Sequence, residues 1–217
     1  MHDTFLFDVD GTLVSMELDF VQIRKEVDAL LVSRGFPEEQ LIKTASILET
    51  ITSAVEYMRV KGLGWKQMKE EADSYLERVE LEAASKAVLI KGADTVLKLL
   101  KKHNKKIGVI TRNNRRVVLN ILEKSGLSTY VDTVLARDDV EKVKPHPDHV
   151  LQALGNLNSS PEKTVVIGDH HFEIEAGNTA GCFTIGLLTG SGTKDTLKDA
   201  DMVLDSINDL KEIIMEL

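Results

Sequence analysis

Phe5-Leu6-Phe7-Asp8-Val9-Asp10-Gly11-Thr12 begins as a run of strand-forming apolar residues and stops abruptly at two carboxylates spaced i, i+2, followed by a glycine. In extended chain that spacing aims both acids to the same side. Two acids held together at a strand end repel unless a cation or a shared proton relieves them. Such a pair can provide one carboxylate as nucleophile and the other as acid/base, beside a hard metal ion. Taken alone, the segment reads equally well as a strand ending in an ordinary Asp-Gly turn, so the rest of the chain must decide.

Outward from this strand the hydrophobic period changes twice. Residues 16–86 show helical spacing: Phe20, Ile23, Val27, Leu30 and Leu31 form one stripe, closed by Gly35-Phe36-Pro37. A second helix is expected with Leu41, Ile42, Ala45, Leu48, Val55 and Met58 on its apolar face, broken by Gly62-Leu63-Gly64. A third begins near Trp65 and carries Met68, Ala72, Tyr75, Leu76 and Val79. From about residue 87 strands and helices alternate. Strands are expected at 106–111, 133–136, 164–168, 183–187 and 202–204, and helices at 93–102, 115–124, 147–154, 172–180 and 207–215. Near-continuous apolar strands separated by amphipathic helices mean an α/β fold with a parallel sheet covered on both faces. Sites in such sheets lie beyond the carboxyl ends of the strands.

Composition narrows the partners. With 217 residues, 42% of them hydrophobic, the chain can bury a real core as one domain or one domain with an insertion. The net charge is −8 and the longest basic stretch is Lys101-Lys102-His103-Asn104-Lys105-Lys106, at an expected helix C-terminus; this argues against a nucleic-acid partner. The single Cys182 fits a small buried strand residue in a reducing compartment. The start, Met1-His2-Asp3-Thr4-Phe5, lacks the basic and apolar regions of a signal peptide, and no apolar run is long enough to span a bilayer; a cytoplasmic protein is expected.

The expected strand ends carry complementary chemistry. The first delivers Asp8 and Asp10; the strand at 106–111 delivers Thr111, followed by Arg112 and Asn113. Beyond the short strand lies Lys142-Val143-Lys144-Pro145-His146-Pro147, and the strand at 164–168 leads into Gly168-Asp169-His170-His171-Phe172-Glu173. Paired acids, a hydroxyl, a cation and further acids suit phosphoryl transfer, where positioning and charge stabilisation do most of the catalysis. Asp8-Val9-Asp10-Gly11-Thr12, Thr111, Lys144-Pro145 and Gly168-Asp169 with Glu173 resemble the four ordered motifs of the haloacid dehalogenase superfamily, in the style of its phosphoglycolate-phosphatase-like branch.

That resemblance implies a Rossmann-like core formed by residues 1–15 and 87–217, with an inserted all-helical cap at 16–86. It implies attack on phosphorus by Asp8, acid and base roles for Asp10, and phosphoryl contacts from Thr111, with Lys144 offsetting negative charge. Mg2+ would be held by the Asp8 carboxylate, the Asp10 carbonyl and Asp169. Gly11, Thr12, Arg112 and Asn113 are the expected substrate-binding positions, and Glu173 stands where the family most often has Asp. The implied activity is hydrolysis of a small phosphorylated metabolite, phosphoglycolate-like or a sugar phosphate, by a monomer or homodimer. An acid at Asp10 argues for phosphate-ester chemistry over halide displacement, and a mutase of the β-phosphoglucomutase type or a non-catalytic binder remains the alternative. Arg59, Lys61, Trp65 and Lys66 are candidate specificity residues in the helical block, and His146, His149, His170 and His171 a second possible metal-ligand set of the kind that suits zinc or nickel.

Overall fold

A computed structural model of the chain describes residues 2–214 and 216–217. In chain order the elements are β1 (Thr4–Phe7), β2 (Val14–Ser15), α1 (Phe20–Ser33), α2 (Ile47–Val60), α3 (Trp65–Ser85), β3 (Val88–Leu89), α4 (Ala93–Lys102), β4 (Lys106–Ile110), α5 (Arg115–Lys124), β5 (Thr133–Leu135), α6 (Asp148–Leu157), β6 (Thr164–Gly168), α7 (His171–Ala180), β7 (Phe183–Leu187), β8 (Met202–Leu204) and α8 (Leu210–Ile213). They form two compact units: Met1–Met16 with Ala84–Leu217, and Glu17–Ala83.

The larger unit is built on a six-stranded parallel sheet of order β5-β4-β1-β6-β7-β8. β1 and β6 are buried along their whole length, as strands covered on both faces must be. One core cluster joins Leu6, Ile110, Leu135 and Val166 of the sheet to Val150, Ala153, Leu154 and Leu157 of α6 and Ala176 of α7. Cys182 is buried in the same cluster, one residue before β7, and burial pushes its thiol up to about 12. Because β1 lies between β4 and β6, the chain reverses its direction of travel across the sheet there, and such a switch point leaves a crevice at the carboxyl ends. The register pairs Phe7 with Val109 on one side and Ile167 on the other. Asp8, Thr111 and Asp169 therefore emerge within about one residue step of one another along the strand direction.

The smaller unit is helical. Its core packs Ile23, Val27 and Leu31 of α1 against Phe36, against Ile51, Ala54 and Met58 of α2, and against Met68, Ala72 and Leu76 of α3. The Phe36 and Tyr57 rings meet edge to face at 5.6 Å. Arg59, Lys61 and Lys66 are exposed, while Trp65 packs on the core of this unit.

Three expectations change. α2 starts at Ile47 rather than near Leu41, because Ser46 caps it: the Glu49 N–H donates to Ser46 Oγ and the Ser46 N–H donates to the Glu49 carboxylate at 2.6 Å. Ile42, expected on the buried stripe, is exposed, and Leu41 and Ala45 lie in turns. Val14–Ser15 and Val88–Leu89 form a small antiparallel ribbon where the chain leaves and re-enters the larger unit. The expected helix at 207–215 is a 3-10 turn at Ile207–Asp209 running into the short α8, with Met215 outside the described residues.

Candidate active site

The turn after β1 places both acids. Leu13 and Val14 N–H groups fold back onto the Val9 carbonyl, and Gly11 takes φ +78°, a conformation glycine adopts without steric cost. A Cβ on Gly11 would lie 2.5 Å from the Asp169 carboxylate, so the missing side chain also lets the two loops approach. Asp10 Oδ1 accepts the Met16 N–H at 2.9 Å. Burial chiefly raises the Asp10 carboxyl, to about 7, with Asp8 and Asp169 adding to the shift.

Lys144, only 1% exposed, comes from the loop between β5 and α6 and is the charge centre of the site. Its Nζ donates to Asp8 Oδ1 at 2.5 Å and pairs with Glu173 Oε1 at 2.6 Å. A buried ammonium persists only when paired and hydrogen-bonded. Burial pushes Lys144 down, but the two carboxylates outweigh it and its shift is upward. Asp8 is raised, by burial first and by Glu173, against the opposing pull of Lys144. Glu173 also closes the start of α7: its other oxygen accepts the His170 N–H at 3.0 Å. A Cβ on Gly168 would fall 2.2 Å from Glu173 Cγ, so the longer acid fits because the strand ends in glycine.

Asp169 Oδ2 accepts both the N–H and the hydroxyl of Ser191, at 2.7 and 3.1 Å. Its carboxyl is raised by burial and by Asp8, against the Ser191 hydrogen bonds. Thr189 Oγ1 donates to the Gly11 carbonyl at 2.7 Å, and a Cβ on Gly190 would stand 2.1 Å from Asp169 Oδ2. This loop beyond β7 was missed by sequence reading; its only signal is a cluster of small residues, Thr189-Gly190-Ser191-Gly192, past a strand's carboxyl end.

Thr111 is buried, and its hydroxyl accepts the Asn113 N–H at 3.2 Å. Asn113 Nδ2 is buried without a hydrogen-bond partner, and so is Thr12 Oγ1 on a residue with no exposed surface. Arg112 lies with its guanidinium 4.2 Å over the Phe172 ring. Among the described residues the four histidines form no group placed to hold a metal ion. His149 uses both ring nitrogens within the protein, while the Nδ1 atoms of His146 and His170 accept the Asp148 and Phe172 N–H groups. A groove of about 590 Å3 runs along β5, but its acids, Asp132 and Asp139, are already paired with Lys101 and Arg115.

The donor set fits a hard cation. Asp8 and Asp169 raise the Asp10 carboxyl and Asp8 raises that of Asp169, a repulsion of the kind a bound cation relieves. Among the described residues no group of three or more His, Cys, Asp or Glu is placed to hold a metal ion. Two carboxylates, a main-chain carbonyl and waters suit Mg2+, which keeps much of its hydration.

A parallel α/β sheet with an acidic centre at its switch point, partly offset by a buried lysine, suits a phosphoryl-handling enzyme of the phosphatase type. The chain belongs to the haloacid dehalogenase-like hydrolase family, whose model matches residues 5–187. It is similar to Pyrophosphatase PpaX of Bacillus mycoides, 31% identical over 98% of this chain and 96% of that protein. Among solved structures, a β-phosphoglucomutase from Clostridium difficile is similar at 25% identity and TM-score 0.69, covering 100% of this chain and 96% of that one. A predicted phosphoglycolate phosphatase from Haemophilus somnus shares the fold at 21% identity and TM-score 0.68, over 98% of both chains. No helix among the described residues is long and apolar enough to cross a membrane.

Proposed function

We propose that this protein is a Mg2+-dependent phosphatase of a small phosphorylated substrate, working through an aspartyl-phosphate on Asp8. The observation that carries the reading is the contrast between the two acids at the end of β1. Asp8 is ion-paired with Lys144, which opposes the burial that raises it to about 6 and favours the anionic nucleophile, while Asp10, raised further to about 7, is the acid that can exchange a proton near neutral pH. An Asp8 oxygen attacks phosphorus in line, and the bond to the leaving oxygen breaks as Asp10 delivers its proton there. Asp10, now anionic, takes a proton from the water that attacks the phosphoryl-Asp8, releasing phosphate and restoring both acids. Thr111 and the neighbouring main-chain N–H groups hold the phosphoryl oxygens, and Lys144 limits the negative charge that gathers around Asp8. The Asp8 carboxylate, the Asp10 carbonyl and Asp169 would hold Mg2+, which when bound supplies the positive charge that lets an anionic substrate approach three acids.

Inorganic pyrophosphate is the first substrate to test, because that is the activity named for relatives 31% identical to this chain; phosphoglycolate and sugar phosphates follow. The second reading, a phosphomutase, draws on the β-phosphoglucomutase similarity. We place the protein in the cytoplasm, where a lone buried thiol stays reduced. The test is phosphate release from pyrophosphate, phosphoglycolate, sugar phosphates and p-nitrophenyl phosphate, with Mg2+ and with chelator. Mg2+-dependent release supports hydrolysis; isomerisation that needs a bisphosphate activator, with no free phosphate, would replace it with the mutase.

A further inference from the structure

We infer that His149 is a positioning residue that locks the Lys144 loop to the sheet and so fixes where the ammonium group meets Asp8. The inference rests on the proposed partnership of Asp8 and Lys144 in the reaction. His149 is the second residue of α6 and has no exposed surface. Its Nδ1 faces the Lys144 N–H at 3.1 Å and its Nε2 lies 3.0 Å from the Leu135 carbonyl. A carbonyl only accepts, so Nε2 must carry the ring proton, and Nδ1 is left with the lone pair that receives the Lys144 N–H. The ring is therefore neutral with one defined tautomer, in keeping with burial and the Lys144 charge pushing it down to about 4.

The same Leu135 carbonyl accepts the Thr111 N–H at 3.0 Å. One imidazole thus connects, through a single oxygen, the main chain at Thr111 to the main chain at Lys144, the two residues proposed to flank the phosphoryl group. Lys144 needs such a link. It projects from a loop with no regular structure between β5 and α6, and its long side chain must end within hydrogen-bond reach of two carboxylates. A small shift of its main chain moves the ammonium off Asp8, and misplacement on that scale is enough to slow a reaction.

Three substitutions separate the two nitrogens. His149→Asn keeps an acceptor near the Nδ1 position, His149→Gln keeps a donor near the Nε2 position, and His149→Leu keeps neither. Each full-length variant is measured for kcat and KM on p-nitrophenyl phosphate with Mg2+, for its urea unfolding midpoint, and for acetylation of Lys144 by acetic anhydride, followed by peptide mass spectrometry. His149→Leu and His149→Gln should acetylate Lys144 about tenfold faster than wild type and lose about tenfold in kcat with KM little changed. His149→Asn, which keeps the acceptor for the Lys144 N–H but not the donor to the Leu135 carbonyl, should fall between His149→Leu and wild type in both. Wild-type labelling and kcat in His149→Leu would overturn the inference. So would losses in all three variants that follow the unfolding midpoint regardless of which nitrogen is replaced. If wild-type protein turns over none of the substrates while labelling keeps the predicted order, the phosphatase reading fails and the positioning role stands.

Discussion

At the residue scale the site is organised by burial of charge. Asp8, Lys144 and Glu173 form a chain of opposite charges in which Lys144 and Glu173 are buried, with Asp10 nearby raised to about 7. Asp10→Asn keeps the oxygen that accepts the Met16 N–H and removes the exchangeable proton. Steady-state kinetics should show kcat reduced by about 10²–10⁴, the range for general acid–base catalysis. Mg2+ affinity, measured by calorimetry, should change little, since the proposed metal contact of Asp10 is its carbonyl. Asp8 and Asp10 were readable from sequence because they sit two residues apart just beyond one apolar strand, ahead of a glycine. Thr111 and Asp169 were readable as the residues just past strands, and Lys144 as part of the loop beyond one. Ser191 was not, and His149 was visible only as a possible metal ligand, because each makes its contacts only once distant segments are in register. Glu173 lay between: its acid was visible, but its pairing with Lys144 depends on the glycine that ends β6.

At the element scale, strong periodicity located most of the sheet and its helices, while short elements escaped it. The ribbon of Val14–Ser15 with Val88–Leu89 pairs two residues with two, too few for a period to appear, and the partners lie far apart in sequence. The error at α2 has a different cause. Apolar residues at 41, 42 and 45 continue a helical spacing, but Ser46 and Glu49 satisfy each other's N–H groups and begin the helix there. A side chain that bonds its own neighbourhood competes with helix continuation. Ser46→Ala removes the acceptor for the Glu49 N–H and should destabilise the helical unit by about 1 kcal/mol, read from the urea midpoint. An unchanged midpoint would mean that the packing of Ile51, Ala54 and Met58, rather than the cap, starts the helix.

At the scale of the whole molecule, the acidic centre sets how stability depends on pH and metal. The Asp10 carboxyl binds its proton more tightly folded than unfolded, with about 7 replacing an ordinary 3.8, and Asp169 is shifted the same way. The folded state gains from these protons most fully below the unfolded value, and that gain is lost as pH rises through the folded value. Metal-free protein should therefore be less stable near pH 8 than near pH 5, with Asp10→Asn recovering on the order of 2 kcal/mol near pH 8. Added Mg2+ should stabilise the folded protein near pH 8 by about 2.7 kcal/mol at a hundredfold excess over its Kd, read as a rise in the urea midpoint. No rise on adding Mg2+ would remove the metal from the proposal. The central claim, a covalent phosphoryl-Asp8, is tested most directly by acid-quenching the enzyme during turnover of pyrophosphate with Mg2+ and mapping the modified peptide by mass spectrometry. The account predicts one added phosphoryl group on Asp8 in wild type, none in Asp8→Asn, and no phosphate release from that variant. Turnover by Asp8→Asn at the wild-type rate, or a phosphoryl group on any other residue, would contradict it.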